Sequence, residues 1–137
     1  MHRQRRYLLH PESISGLEKY KDDSAVLDRL ESIKQENKRR FAGYVARESG
    51  IILNTDAIFD VQVKRLHEYK RQLLNVLHIV HLYNQLRDNP NMEFTPQTFL
   101  FGAKGGPRYH VAKRIIQLIN SLSAQINADP ICKDKLQ

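Results

Sequence analysis

A change of hydrophobic period within residues 59–75, FDVQVKRLHEYKRQLLN, restricts the fold more than any other feature of the chain. The apolar residues that precede the change are β-branched or aromatic, which predicts a short buried strand over residues 57–63. From Leu66 onward, apolar residues recur at steps of three and four, which predicts a helix that continues to residue 87. The cationic pair Lys64 and Arg65 therefore lies where a strand gives way to a helix.

The basic residues at this junction admit two interpretations. The cations concerned are Lys64, Arg65 and Lys70, joined by His67 when its ring is protonated. The first turn of a helix has unpaired N–H groups and a positive dipole end, and no capping side chain directly precedes Leu66, so a phosphate would fit there. Alternatively, the side chains extend into water and form ion pairs with Asp60 and Glu68. Spacing alone leaves both interpretations open.

A second strand and helix follow in the same order. We predict a strand over residues 97–103, a glycine-rich turn over residues 102–107, and a helix with Pro107 at its first position that ends at Asp129 and Pro130. The glycines match neither a P-loop nor a dinucleotide-binding pattern, so by themselves they indicate only a tight turn. Two strand-to-helix units in succession predict an α/β fold with a parallel sheet, whose ligands bind at the carboxyl ends of the strands.

A long helix precedes these units. Asp22, Asp23 and Ser24 are candidates for its N-cap, and Gly50 closes it after residue 49. The predicted buried stripe of this helix comprises Val26 or Leu27, Leu30, Ile33, Asn37, Phe41, and Tyr44 or Val45. Residues 1–23 mix charge with proline, serine and glycine, which predicts mostly irregular structure with one short helical turn at most.

Composition excludes several classes of protein. The 137 residues include 41% apolar residues, enough for the core of about one domain, but no apolar run approaches the roughly 20 residues that span a bilayer. The net charge is +7, yet the basic residues are interleaved with acidic ones, which argues against a nucleic-acid partner. The single cysteine, Cys132, provides neither a disulfide nor a metal site. We therefore expect a cytoplasmic protein without a membrane, nucleic-acid or metal partner.

Four segments carry a resemblance to a known family. These are VQVKRLHEYKRQLLN, GLEKYKDD, IKQENKRRFAGYV and FGAKGGPRYHVAKRIIQLI. Together they resemble, in the same order, segments of the α-glucan phosphorylases, which act on glycogen, starch and maltodextrin. The resemblance covers most of residues 16–137. It implies a Rossmann-like part, βαβα preceded by a long helix, of the C-terminal nucleotide-binding-like domain in a two-domain glycosyltransferase-B-type fold; residues 1–15 form a separate, irregular segment.

The resemblance also implies an activity. Phosphorylases cleave α-1,4-glucans with inorganic phosphate and release α-glucose 1-phosphate with retention of configuration. Their cofactor is pyridoxal 5′-phosphate, whose phosphate exchanges a proton with the substrate phosphate. The lysine that carries the cofactor belongs to an EASGTGNMKF-like motif, which this sequence does not contain. We therefore expect an internal piece of a longer, homodimeric enzyme, inactive by itself; a non-catalytic remnant that binds anions or associates with a phosphorylase is the alternative.

The resemblance assigns roles to individual residues. Arg65 and Lys70 match positions that contact the substrate phosphate, while Lys64 and Val63 match the surroundings of the cofactor, to which Lys70 also contributes. The expected neighbours of the cleft are His67, Glu68, Tyr69 and Tyr109. The family has KAAPGYH where this chain has KGGPRYH, and Arg108 would narrow the cleft entrance, so purine binding there is not expected. An apolar surface should be exposed where the rest of the sheet packs.

Overall fold

A computed structural model describes residues 10–137. Two units are distinguished, residues 1–41 and residues 42–137, and each is described by itself. The first unit contains a 3-10 helix, Pro11–Tyr20, which is longer than the single turn predicted for this region. The hydroxyls of Ser13 and Ser15 each donate a hydrogen bond of 2.7 Å to the carbonyl oxygen three residues earlier, which supports this tight winding. The predicted irregular segment otherwise falls on residues 1–9, outside the described residues.

Helix α1, Ser24–Ser49, has the predicted bounds. At its start the Asp23 carboxylate accepts a hydrogen bond of 3.2 Å from the Val26 N–H. At its end Gly50 adopts φ +72° and donates its N–H to the Ala46 carbonyl, as a glycine C-cap does. The predicted buried stripe is wrong, however, because none of the described residues of α1 is buried and Leu30 is half exposed. A hydrophobic period identifies the side of a helix that can be buried, whereas burial needs a second apolar surface.

The second unit contains the predicted parallel sheet. Strands β1, Ile58–Val63, and β2, Gln97–Gly102, pair in parallel, with Ile58 opposite Gln97 and Val63 opposite Gly102. Helix α2, Gln72–Asp88, follows β1, and helix α3, His110–Ala128, follows β2. The α/β prediction is therefore confirmed, with strand bounds within a residue of those predicted.

The last residues of the chain extend the sheet beyond β2. The Gln97 N–H donates to the Lys135 carbonyl at 2.8 Å, and the Phe99 N–H donates to the Gln137 carbonyl at 2.9 Å. Leu136 forms a parallel bridge with Gln97. Strand β2 therefore has a backbone partner on each edge.

Two buried clusters hold the second unit together. The larger contains Ile79, Tyr83, Leu86, Ile126, Cys132 and Leu136. The smaller contains Leu66, Ala112 and Ile115. The larger cluster joins α2, α3 and the chain's last residues under β2, and the smaller one fixes the segment after β1 against α3.

The sheet and α2 also expose apolar surface, as the resemblance implies. The residues concerned are Ile58, Val61 and Val63 of β1, and Leu73, Leu74 and Leu77 of α2. The prediction that β1 is buried is therefore wrong for these side chains, because the two helices cover only part of the sheet. Within residues 10–137, no helix has the length and apolar content needed to cross a membrane.

Candidate functional site

The segment between β1 and α2 differs from the continuous helix that the sequence predicts from Leu66. Residues 64–67, here called the basic loop, follow β1, and a 3-10 turn, Glu68–Lys70, comes next. Arg71 then adopts φ +60°, in the left-handed region, and α2 begins only at Gln72. Leu66 is apolar because it packs in the smaller cluster against α3, not because it belongs to the stripe of α2. Its three- and four-residue spacing to later residues was therefore misleading.

The turn after β2 lies beside the basic loop. Because β1 and β2 are parallel, their carboxyl ends share one edge of the sheet, as predicted. A backbone hydrogen bond of 3.1 Å from the Leu66 N–H to the Lys104 carbonyl joins the two segments directly. Pro107 is not the first residue of α3: it lies in a turn, the Tyr109 N–H donates to the Gly106 carbonyl at 3.0 Å, and the helix begins at His110.

The predicted cations follow the carboxyl end of β1 without acidic partners. Lys64 and Arg65 are exposed, and Lys70 is half-buried. Among residues 10–137, no carboxylate lies within ion-pair distance of these three side chains. The ion pairs of the alternative interpretation are therefore not formed within this range: Asp60 accepts a hydrogen bond of 3.4 Å from Asn75, and Glu68 accepts one from Tyr109. Within the described range, no ion pair therefore compensates the charge of these three side chains.

The four predicted cleft neighbours lie together. The Tyr109 hydroxyl donates a hydrogen bond of 2.7 Å to Glu68 Oε2 and accepts one of 3.2 Å from the Glu68 N–H. The ring of His67 lies 4.2 Å from that of Tyr69 and 5.3 Å from that of Tyr109, between centroids. The hydrogen bond to the Glu68 carboxylate raises the pKa of Tyr109, and desolvation adds to that shift. Tyr109 therefore connects the start of α3 to the 3-10 turn.

The 3-10 turn and α2 are capped differently. His67 Nδ1 accepts a hydrogen bond of 3.5 Å from the Tyr69 N–H, so the ring stands at the start of the 3-10 turn. In the described part of the chain, by contrast, α2 has no side-chain cap, and its first turn contains no acidic residue. The positive end of the α2 dipole thus adds to the charge of the basic loop.

Gln72 is a residue that the sequence analysis missed. Its side chain is 1% exposed and lies against the basic loop, where Nε2 donates to the Arg65 carbonyl at 3.1 Å. A sequence signal was available, because Gln72 is the first member of the buried stripe of α2, which continues as Val76, Ile79, Tyr83 and Leu86. A polar residue at a position whose repeats are otherwise apolar indicates a specific hydrogen-bonding role.

The fold and its carboxyl edge define an α/β protein of the parallel-sheet class, with uncompensated cations where such proteins bind ligands. Residues 2–137 match the family model described as "Carbohydrate phosphorylase", and the chain belongs to that family. The family resemblance and the glycosyltransferase-B-type fold expected from it are thereby confirmed. No cluster of three metal-ligating side chains occurs among residues 10–137.

Individual relatives agree with this assignment. The chain is 45% identical to glycogen phosphorylase of Bacillus subtilis (strain 168) over 131 residues, which are 96% of this chain and 16% of that protein. It is 44% identical to the muscle form of glycogen phosphorylase from Oryctolagus cuniculus over the same shares of the two chains. With glycogen phosphorylase of Synechocystis sp. the identity is 44%, over 92% of this chain and 15% of the relative. The chain thus spans about 16% of the length of such relatives.

Proposed function

We propose that this chain supplies the phosphate-binding edge of an α-1,4-glucan phosphorylase, which converts glycogen or maltodextrin and inorganic phosphate into α-glucose 1-phosphate. Arg65 and Lys70 bind the substrate phosphate, and Lys64 stands near the phosphate of the cofactor. The observation that carries the proposal is the set of three cations after β1 that have no carboxylate partner among residues 10–137. Family membership supports the same reaction.

Electrostatics explains why the reaction needs uncompensated cations. Two phosphates that approach one another repel strongly, by about 4 kcal/mol per pair of unit charges at 4 Å where the effective dielectric constant is 20. A guanidinium can bind phosphate oxygens in a bidentate manner, while an ammonium acts as a compact point charge. If Asp60 or Glu68 formed ion pairs with these groups, much of the attraction would be lost. Asp60 and Glu68 instead accept hydrogen bonds from Asn75 and Tyr109, and among residues 10–137 neither carboxylate lies within ion-pair distance of the three cations.

The donor set at this edge also fits pyridoxal 5′-phosphate. Lys64 offers an ammonium group, and the Val63 side chain, 68% exposed at the end of β1, offers an apolar surface beside it. When bound, the cofactor supplies a phosphate group that exchanges a proton with the substrate phosphate. The residues of this chain hold and orient the phosphates; His67, Glu68, Tyr69 and Tyr109 shape the adjacent cleft.

The exposed apolar side chains of β1 and α2 suit contact with the remainder of a phosphorylase chain. Leu74 is 60% exposed and Ile58 is 54% exposed, although Leu74 belongs to a regular helix and Ile58 to a regular strand. We propose that further parts of the enzyme cover them, and that the complete, cytoplasmic enzyme acts as a homodimer. The 137-residue chain by itself is then expected to form no glucose 1-phosphate from glycogen, even with added cofactor.

Replacement of Arg65 by alanine in the complete enzyme tests the proposal. We expect kcat to fall by about 10²- to 10³-fold, because a charge-assisted contact that strengthens in the transition state is lost. Arg114→Ala is the matched control, since Arg114 contacts Gln117 on the surface of α3, and it should leave kcat unchanged. Equal kinetics for Arg65→Ala and Arg114→Ala would exclude the role assigned to Arg65.

A further inference from the structure

We infer that Gln72 is a positioning residue, whose side-chain amide fixes the backbone of the basic loop and thereby aims the side chain of Arg65. The inference rests on the proposed function, because it concerns the loop that would bind phosphate. Gln72 lies within the segment that carries the family resemblance, but neither the resemblance nor the charge pattern of the sequence assigned it a role. The contacts of the amide carry it.

The amide of Gln72 uses both its donor and its acceptor on the basic loop. Nε2 donates to the Arg65 carbonyl at 3.1 Å and lies 3.5 Å from the Lys64 carbonyl. Oε1 accepts a hydrogen bond of 3.4 Å from the His67 N–H. One side chain therefore contacts the backbone on both sides of Leu66. An amide flip would place the NH₂ group against the His67 N–H and Oε1 against two carbonyl oxygens, so only one orientation satisfies the contacts.

Leu66 is a second anchor of the same loop. Its side chain is buried in the smaller cluster, and its N–H donates to the Lys104 carbonyl at 3.1 Å. Between the two anchors, the peptides that flank Arg65 have restricted freedom. The guanidinium of Arg65 is exposed, so its aim depends on its own rotamers and on the direction in which this backbone presents them.

Gln72 does more than fill space in the core. The side chain is 1% exposed, and a buried amide without partners would destabilise the fold. An apolar residue would continue the stripe of α2 without that risk. The side-chain hydrogen bonds of Gln72 all go to the backbone of the basic loop. We therefore infer that the amide stabilises the conformation of this loop. A displacement of about 1 Å in a group that binds a reacting phosphate can lower the rate by about 10²-fold.

Two variants separate the functions of the amide. Gln72→Met keeps the length and volume of the side chain but removes every hydrogen bond. Gln72→Glu keeps an acceptor for the His67 N–H but, when ionised, loses the donor to the Arg65 carbonyl. Thr98→Val is the matched control, because Thr98 is also 1% exposed, its hydroxyl has no hydrogen-bond partner among the described residues, and it lies near the opposite end of β2.

The experiment titrates inorganic phosphate into the 137-residue chain at low ionic strength and follows the backbone amides by NMR. Hydrogen exchange of the His67 amide is measured on the same samples. For Gln72→Met we expect phosphate affinity to weaken about tenfold and His67 exchange to accelerate about tenfold, the factor typical of one lost hydrogen bond. Gln72→Glu should weaken phosphate binding but retain slow exchange at His67. Thr98→Val should change neither quantity.

The outcomes distinguish failure of the positioning role from failure of the phosphate site. Wild-type affinity and wild-type His67 exchange in Gln72→Met would overturn the role of Gln72 while leaving the phosphate site intact. If the wild-type chain binds phosphate no better than Arg65→Ala does, the proposed phosphate site is wrong. His67 exchange then decides separately whether Gln72 fixes the loop, and unchanged exchange in Gln72→Met would overturn that role. Should Gln72→Met not fold, Gln72→Asn, which keeps a neutral amide but shortens its reach, is measured in the same way, and wild-type phosphate affinity together with wild-type His67 exchange would again overturn the role.

Discussion

Replacement of Gly102 by alanine should strain the carboxyl edge of the sheet, and replacement of Val63 should relieve the strain. The two residues are opposite one another in the parallel register of β1 and β2. A Cβ atom on Gly102 would lie 3.1 Å and 3.2 Å from the two γ-methyl carbons of Val63. Non-bonded carbon atoms prefer separations of about 3.5–4.0 Å, so both methyl groups would have to move by several tenths of an ångström.

The loss of stability depends on how easily the Val63 side chain can move. Val63 is exposed, so its side chain can move more easily than one in a packed core, which places the cost near the lower end of the range for overpacking, about 1 kcal/mol. With an m value of about 2 kcal/mol/M, the urea midpoint should fall by about 0.5 M. In the Val63→Ala background both γ-methyl groups are absent, and Gly102→Ala should then lower the midpoint by less than about 0.2 M.

Urea unfolding of the four proteins in this cycle, followed by circular dichroism, measures the coupling between the two positions. Gly106→Ala is the control within the same turn, because a Cβ there would find its nearest neighbour at 3.8 Å, an ordinary contact. It should leave the midpoint nearly unchanged. If Gly102→Ala costs the same stability in the wild-type background as in the Val63→Ala background, the steric reasoning is refuted.

Three further predictions concern stability and pH. Leu86→Ala should lower the unfolding free energy by about 2–5 kcal/mol in urea titrations, since Leu86 is fully buried in the larger cluster. The Ile131 N–H lowers the pKa of Asp129, so the stability advantage of wild type over Asp129→Asn in thermal melts should be present above about pH 4 and shrink as the pH falls through the folded-state pKa. Tyr109→Phe should accelerate hydrogen exchange at the Glu68 amide at neutral pH, because that N–H loses its acceptor; because the pKa of Tyr109 is raised, the stability that its hydrogen bond to the Glu68 carboxylate adds in urea titrations should be present below about pH 10 and be lost as the pH rises through the higher folded-state value.

The order of elements could be predicted because each has a strong local signal. The strands end where charge or glycine interrupts the apolar runs, and α1 ends at a glycine that adopts φ +72°. The junction before α2 was predicted less well. Leu66 continues a helical spacing by coincidence, since its side chain belongs to a buried cluster with Ala112 and Ile115 of α3, more than 40 positions later in the chain. Local periodicity carries no information about such a partner.

Burial was also predicted less well than secondary structure. The stripes of α1 and β1 have the spacing of buried residues, yet Phe41 and Val61 are exposed among the described residues. The spacing of apolar residues indicates which side of a helix or strand can be buried. Burial itself requires that another part of the protein packs against that side. Candidate site residues could be proposed from the sequence because a cluster of charge at a strand end is visible without knowledge of its tertiary partners. The position of Gln72 in the stripe of α2 could have indicated a buried polar side chain, but its hydrogen-bond partners depend on a loop conformation that the sequence does not specify.

At the carboxyl edge of this sheet, a few contacts link the buried cluster to the loop that carries the cations. Leu66 belongs to the smaller buried cluster, and the same residue separates Arg65 from His67 in the basic loop. Its N–H binds the turn after β2, while Tyr109, at the other end of that turn, binds both the N–H and the carboxylate of Glu68. The loop that carries the cations and the turn that carries the glycines therefore cannot move independently. A substitution in the smaller cluster should consequently change phosphate binding although no charged group is altered. Such a change would show that the fold positions the cations, whereas a chance concentration of lysine and arginine would be insensitive to the substitution.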